Sequence, residues 1–520
     1  MLSDLRYALR TLRRSPGFAA AALLTLALGI GATSTVFSVV DGVLLRPLAF
    51  PESDRLVLVL ENNANQGWDQ FSVSPANFLD FRERARSFEG MAAYTEPPVN
   101  LTGGGEPERV IGAVVTEGFF ELLRVKPLLG RTFTADEMRP GGPKVVLLSY
   151  GLWQRRFGGA LDIVGRAITI NGEPVTVVGV MPREGAEFPS HETELWAPLT
   201  FGARALAARG AHWVVALARL KPGVTLDQAS AEIGQIASSL ARQYPASNSG
   251  WGARAWSLHE LTVGDVRPAL EVLFGVVALV LAIACANVAS LLLARGAARR
   301  REVAIRSAVG ASVSQIVRQL LAESLLLGAM GGALGLLLAM WGVDLLHAVR
   351  PDGLPRLDAI AVDDRVLAFT TVVSLLTGLA FGLVPALQTA RPNLAGALRD
   401  AGGRGATLGR AGQRLRSGLV VAEVALSLVL LVGAGLMAKS FLRLRQVSPG
   451  FTSRQLLTAS VELPGAKYPS DTQRVAFARR AMERLGGLPG VRAVALASPL
   501  PMGRNDRVAA FVIDGRPAPP

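Results

Sequence analysis

The sequence predicts an α-helical integral membrane protein of about five spans, with a large mixed α/β extracytoplasmic domain and the start of a second one. Three observations carry that fold class. Half of the 520 residues are hydrophobic and the mean hydropathy is +0.35, which is more apolar than a soluble enzyme. Several long stretches contain no Asp, Glu, Lys or Arg. The net charge of +13 is concentrated in three short segments that flank those stretches.

The first uncharged stretch is Ser15–Val40. A spanning helix needs about 20 mostly apolar residues, so it is long enough. Arginines precede it, as in a signal peptide. However, the apolar run exceeds the length of a signal h-region and no convincing small-residue cleavage signal follows, so it reads as an uncleaved anchor. Val272–Ala294, Ser324–Val343 and Val366–Ala390 are three more such stretches. The fifth, Val424–Ala438, reaches spanning length only when extended back to Ser417, which takes in Glu423. That carboxylate is expected to face another helix or reach toward the headgroups.

Residues 1–17 carry a net +3, residues 295–319 a net +5 and residues 391–416 a net +5, together the whole charge of the chain. With five spans these three segments fall on one side, and the positive-inside rule makes that side the cytoplasm. The excess is therefore a topology signal, which argues against nucleic acid as a partner and makes the lipid bilayer the first one. The expected path has residues 1–17 inside, span one over 18–45, a large outer region over 46–267 and span two over 268–294. A basic segment (295–319), span three (320–343), an outer loop (344–365) and span four (366–390) follow. A Gly- and Arg-rich inner linker (391–416), span five (417–440) and an outer segment (441–520) complete it.

The outer region mixes strands and helices. "RLVLVLE" (55–61) and "HWVVALARL" (212–220) read as strands. "SPANFLDFRERARSFEG" (74–90) reads as a helix capped by Ser74, with Pro75 in its first turn and Phe78, Phe81 and Ala85 on one face. "RAITINGEPVTVVGV" (166–180) is two runs of β-formers joined by Asn171-Gly172, a hairpin signal. Thr225 is placed to cap an amphipathic helix over 225–244. Residues 418–462 repeat the layout of residues 17–61, an apolar helix leading to a strand, and "AFARRAMERLGGLPGVRAVALA" then repeats the following helix. A second copy of the outer domain is thus expected to start near 446.

Catalytic chemistry finds little support. His191, His212, His259 and His347 are scattered without metal-ligand spacing, and the single cysteine, Cys285, sits in an apolar run. "GAGLMAKS" (433–440) approaches a phosphate-binding loop, but Ala438 replaces its second glycine and the stretch lies in a span. No ATPase is therefore read in the chain, and no cofactor or metal.

The densest basic cluster lies between spans two and three. "RRREVAIRSAVGAS" reads as a short helix in which Glu302 and Arg306 form an i,i+4 pair, with Ala304, Ile305, Ala308 and Val309 on one stripe and Gly310 at the bend. It is either a loop lying along the headgroups or a helix that docks on a cytoplasmic partner. "REVAIRSAVGAS…I…LLAESL" and the following "GAMGGALG" (328–335) resemble the FtsX/MacB-type permeases of ABC systems. The opening "LRYALRTLRRSPGFAAAALLTLALGIGATSTVF" together with "ARPNLAGALRD" (390–400) resembles the duplicated orphan permeases.

That resemblance implies a MacB-like extracytoplasmic core domain over 46–267 and a separate cytoplasmic ABC ATPase that binds ATP. Arg299, Arg301, Glu302, Ile305, Arg306 and Gly310 would form the coupling segment that docks on it. It also implies a dimeric or pseudo-dimeric arrangement, envelope protein partners for the outer domain, and location in the bacterial inner membrane with the N-terminus cytoplasmic. A complete duplicated member would have eight spans and two full outer domains, so a C-terminally truncated or degenerate member is expected. The competing expectations are a non-transport scaffold or sensor that binds through the outer domain, and a membrane enzyme, which lacks an acid, base or nucleophile cluster.

Overall fold

The computed structural model describes residues 2–103, 105–183, 188–298, 312–351, 353–389, 410–448, 450–451, 455–465 and 467–497. The helices used below are α1 (Leu2–Arg13), α2 (Pro16–Val40), α3 (Pro75–Arg84), α4 (Leu226–Gln243), α5 (Arg267–Ala298), α6 (Val313–Val349), α7 (Asp364–Thr389), α8 (Arg410–Gln446) and α9 (Asp471–Gly486). The chain divides into two compact units, one of Met1–Leu48 and Ser257–Gln455 and the other of Ala49–Trp256 and Leu456–Pro520.

The first unit holds the five expected spans as helices: Pro16–Leu45, Arg267–Arg295, Ser314–Val349, Asp364–Leu383 and Ser417–Gln446. Each is long and apolar enough to cross a bilayer. Several run past the uncharged stretches that announce them. At about 1.5 Å per residue, Ser314–Val349 is about 54 Å long, well beyond a hydrocarbon core of about 30 Å. Span one ends in a single π-helical turn, Asp41–Leu45. The near-match to a phosphate loop, Gly433–Ser440, is continuous helix within α8, so its amides are engaged along the helix.

Small residues let these helices approach closely. A Cβ on Gly31 of α2 would lie 3.0 Å from the Gly335 carbonyl of α6, and one on Gly335 would lie 3.0 Å from the Gly31 nitrogen. Between α6 and α7, a Cβ on Gly328 would lie 2.6 Å from the Ser374 carbonyl. Thr370 Oγ1 donates to Ser34 Oγ at 2.8 Å, and Phe37 stacks on Phe369 with centroids 3.8 Å apart. In lipid the hydrophobic effect does not hold helices together, so close packing and such hydrogen bonds must. The seam is one core, in which Leu26, Ile30, Val288, Leu327 and Phe381 are buried. Span five differs, since none of its most apolar window is buried in the unit.

The second unit is a twelve-stranded mixed sheet: β1 (Leu56–Asn63), β2 (Trp68–Phe71), β3 (Phe88–Thr95), β4 (Pro98–Thr102), β5 (Glu108–Val115), β6 (Leu129–Gly130), β7 (Val145–Leu148), β8 (Ala167–Ile170), β9 (Glu173–Val180), β10 (Thr193–Pro198), β11 (Val215–Leu220) and β12 (Trp251–Ser257). Strands β10, β7, β9, β8, β4 and β5 run in that order, and β5 pairs back to β10, closing a ring. Closure leaves no free edge within it. Val99, Leu101, Val146, Ile168, Val177 and Leu195 fill its core. The second lobe continues through β3, β11, β1 and β12, with α3 and α4 packed on the sheet through Phe78, Phe81, Ile233 and Leu240. Fully burying each of these side chains is worth about 1.5–3 kcal/mol.

Local signals set these elements. Ser74 Oγ accepts from the Asn77 amide to cap α3, a contact worth about 1 kcal/mol. Thr225 and Gln228 form a reciprocal capping box on α4. Asn171 and Gly172 have φ of 53° and 85°, the positive pair that a type I′ hairpin between β8 and β9 requires. His212, unremarkable in the sequence, pairs with the buried Glu61, whose other oxygen accepts from Asn77 Nδ2 at 2.6 Å.

The repeated layout is only partly realised. Helix α9 forms where the second copy predicts it, but residues 455–462 are not a strand. Strand β1, their counterpart, is held by β2, β11 and β12. Among the described residues after 455 no strand exists to supply such a ladder. Instead Ser460 accepts a hydrogen bond from Arg109 of β5.

The seam yields a direct test. Gly335→Leu forces side-chain volume against the α2 backbone, where overpacking costs about 1–3 kcal/mol or more. The purified chain in detergent is expected to unfold several degrees lower, whereas Gly433→Leu, with nothing within 4 Å, should leave the midpoint unchanged. Equal midpoints for the two variants would refute the seam.

Candidate functional site at the base of the helical bundle

The residues that the sequence assigns to partner docking, Arg299, Arg301, Glu302, Ile305, Arg306 and Gly310, lie outside the described residues, which end at Ala298 and resume at Ser312. What the structure describes is the frame on either side. Ser312 caps α6: its hydroxyl accepts from the Gln315 amide at 3.3 Å, and Gln315 Oε1 accepts from the Ser312 amide at 3.2 Å. The last part of the basic segment, from Val313 onward, is thus already the helix of span three.

Arg295, near the end of α5, joins the two sides of this frame. Its Nη1 lies 3.0 Å from Glu323 Oε1 of α6. Its Nη2 donates to the Thr11 carbonyl at 3.1 Å and to Ser15 Oγ at 2.6 Å, and its guanidinium lies 4.6 Å from the centre of the Phe18 ring. One side chain therefore ties α1, the start of α2, the end of α5 and the start of α6. Both partners are withdrawn from solvent, with side chains 16% and 5% exposed. Only a planar fork of donors reaches a carboxylate, a carbonyl, a hydroxyl and a ring face at once; a lysine ammonium does not.

The opposite end is held by a second set of charges. Asp41, in the π-helical turn, lies 3.1 Å from Arg46 and 3.5 Å from Arg365, and Arg46 also pairs with Asp363. Arg356 donates to the carbonyls of Val43, Arg46 and Pro47. His347 bonds the Ile360 carbonyl at 2.9 Å. Burial pushes the His259 imidazole below its ordinary range, and the positive charge of Arg356 adds to that. The turn after span one is in this way fixed to the loop between spans three and four.

Glu423 behaves as the sequence predicts for a carboxylate facing another helix. Asn287 of α5, with its amide nitrogen turned toward it, donates to Glu423 Oε1 at 2.8 Å. Sequence reasoning missed the Arg295–Glu323 pair, counting Arg295 only toward the basic excess. The signal was present: a lone arginine closes one apolar run and a lone glutamate opens the next, and ionisable residues at such positions are paired as a rule. Among the described residues no group of three or more His, Cys, Asp or Glu side chains could hold a metal ion. The ion pairs and hydrogen bonds of both sets hold helix ends in register.

Removing one partner of a buried pair leaves an uncompensated charge, at a cost of about 3–5 kcal/mol, while replacing both with apolar groups is often neutral. Arg295→Met and Glu323→Met are each expected to lower the unfolding midpoint of the purified chain sharply, and the double variant to recover most of the loss. Additive losses would show that the pair does not act as a unit.

Two family models match the chain in sequence order. The MacB-like periplasmic core domain matches residues 19–236, and the FtsX-like permease C-terminal domain matches residues 274–394. The macrolide export ATP-binding/permease protein MacB of Chromobacterium violaceum is 28% identical over 287 residues, 55% of this chain and 42% of that protein. The protein of the same name from Escherichia coli strain K12 is 29% identical over 268 residues, 50% of this chain and 39% of that one. The chain thus spans about two fifths of the length of these curated relatives. The crystal structure of the periplasmic region of MacB from Actinobacillus actinomycetemcomitans aligns with 45% of this chain and 95% of its own, at 12% identity and a TM-score of 0.31. With both family matches lying in order along a chain of five spanning helices and one large α/β unit, the protein belongs to the FtsX/MacB-like permeases of ABC systems.

Proposed function

We propose that the chain is the permease subunit of an ABC-type system, closest in plan to the duplicated orphan permeases. ATP is bound and hydrolysed by a separate cytoplasmic ATPase, and the chain couples that hydrolysis to movement of its extracytoplasmic domains, for export or for mechanical control of envelope partners. It works as a dimer or as a pseudo-dimer of related halves. The observation that carries the reading is the frame around residues 299–311. Both ends of that segment are anchored to spanning helices, through Arg295 on one side and through Ser312 and Glu323 on the other. The FtsX-like match runs through the same region. A displacement of the segment would pass into α5 and α6, and through Thr11 and Ser15 into α1 and α2.

In this reading Arg299, Arg301, Glu302, Ile305, Arg306 and Gly310 form the docking surface, and Glu302 with Arg306 orients it. Breaking an exposed pair costs only about 0.3–0.5 kcal/mol of helix stability, whereas a reversed charge at a contact can cost several kcal/mol. Glu302→Arg is therefore expected to leave insertion and expression normal while cutting ATPase co-purification from native membranes at least tenfold. Unchanged recovery of the ATPase would remove the docking role. Absence of any co-purifying ATPase, with envelope proteins recovered instead, would favour a non-transport scaffold.

A further inference from the structure

Helix α1 is amphipathic in an unusual sense for a segment beside a membrane. Its apolar side is already used: Ala8 and Leu12 are 0% and 4% exposed, and Leu12 joins the bundle core with Leu26, Val288 and Leu327. Thr11 is buried with them and gives its carbonyl to Arg295. On the other side Arg6, Arg10, Arg13 and Arg14 stand at helical spacing and are all exposed. None of the four has a carboxylate partner among the described residues. Leu9, 40% exposed, sits among them.

We propose that this arginine stripe is a binding surface for the phosphates of anionic phospholipids, and that α1 is the element through which headgroup charge is felt by the base of the bundle. Four features of the placement favour lipid. Arg14 lies two residues before Pro16, where span one begins, so the stripe starts at headgroup level. Guanidinium groups grip phosphate oxygens through paired donors. An exposed leucine among arginines suits an interface that is part charged and part apolar. Because the apolar face of α1 is packed on protein, its binding to the bilayer rests on charge rather than on insertion. Through Thr11 and Ser15 the same helix meets the Arg295–Glu323 pair, so a phospholipid held by the stripe braces the frame around residues 299–311. The inference does not depend on which side of the membrane α1 occupies, nor on the presence of an ATPase.

The test uses the full chain with Cys285→Ala and Leu9→Cys, labelled with a small fluorophore and placed in phosphatidylcholine vesicles. Each preparation contains a few mole per cent of a shallow nitroxide lipid, either phosphatidylglycerol or phosphatidylcholine. Basic residues near a surface each favour anionic lipid by about fivefold, so phosphatidylglycerol should quench roughly tenfold more effectively or better. High salt should erase much of that preference. Arg6, Arg10, Arg13 and Arg14 all changed to Gln should bring the ratio to one, and the same positions changed to Lys should keep most of it. Equal quenching by the two lipids in the labelled parent would overturn the proposal. So would a preference that survives the Gln changes. Quenching by neither lipid would assign the stripe to an acidic protein face instead. If the Gln variant fails to insert, the ratio in the labelled parent and its salt dependence still decide.

Discussion

The guanidinium of Arg295, held between Glu323, Thr11, Ser15 and the Phe18 ring, is the constraint on which the rest of the membrane unit depends. A charged fork taken out of water must have every donor answered or it destabilises the fold. Its partners come from three helices besides its own, so those four helices can meet in few arrangements. The glycine seam above it works by a different physics. Gly31 against Gly335, and Gly328 against Ser374, bring backbones into contact where no side chain could fit. One interaction fixes the helix ends and the other fixes their separation. A bundle held in both ways resists sliding of one helix past another, and the coupling proposed for this chain needs that.

The α/β unit reaches rigidity by another route. Closing six strands into a ring removes two edges that would otherwise expose unpaired backbone groups, and the second lobe covers its sheet with α3 and α4. One buried polar network is answered here as well. Glu61 takes His212 and Asn77, and Asn77 in turn takes Arg209 at 2.7 Å. Loops between such elements can vary while the frame holds.

Much of this was legible in the sequence where the determinant is local. Uncharged stretches announced four spans and, extended across Glu423, the fifth, and Ser74, Thr225 and Asn171-Gly172 announced their caps and hairpin because each acts within three or four residues. What could not be read depends on contacts between residues far apart in the chain. Gly31 and Gly335 look like ordinary helix glycines until α2 and α6 are placed together. Arg295 looked like one more positive charge, although Glu323 at the start of the next apolar run was its partner. The helix of span three also begins before its uncharged stretch, since Ser314 to Arg318 lie in the same continuous helix as Ser324. Residues 455–462 have strand-forming side chains, but a strand needs neighbours to bond. The docking residues from Arg299 to Gly310 lie outside the described residues, so for them the sequence reading stands on its own.

The proposed coupling requires that the α/β unit and the segment between Arg295 and Ser312 face opposite sides of the membrane. The most direct measurement places single cysteines at Ser190 and at Ser307 in a Cys285→Ala background and labels intact cells with a membrane-impermeant thiol reagent. The account predicts labelling at position 190 from outside and at position 307 only after the membrane is opened. Labelling of position 307 from outside, with position 190 protected, would contradict it.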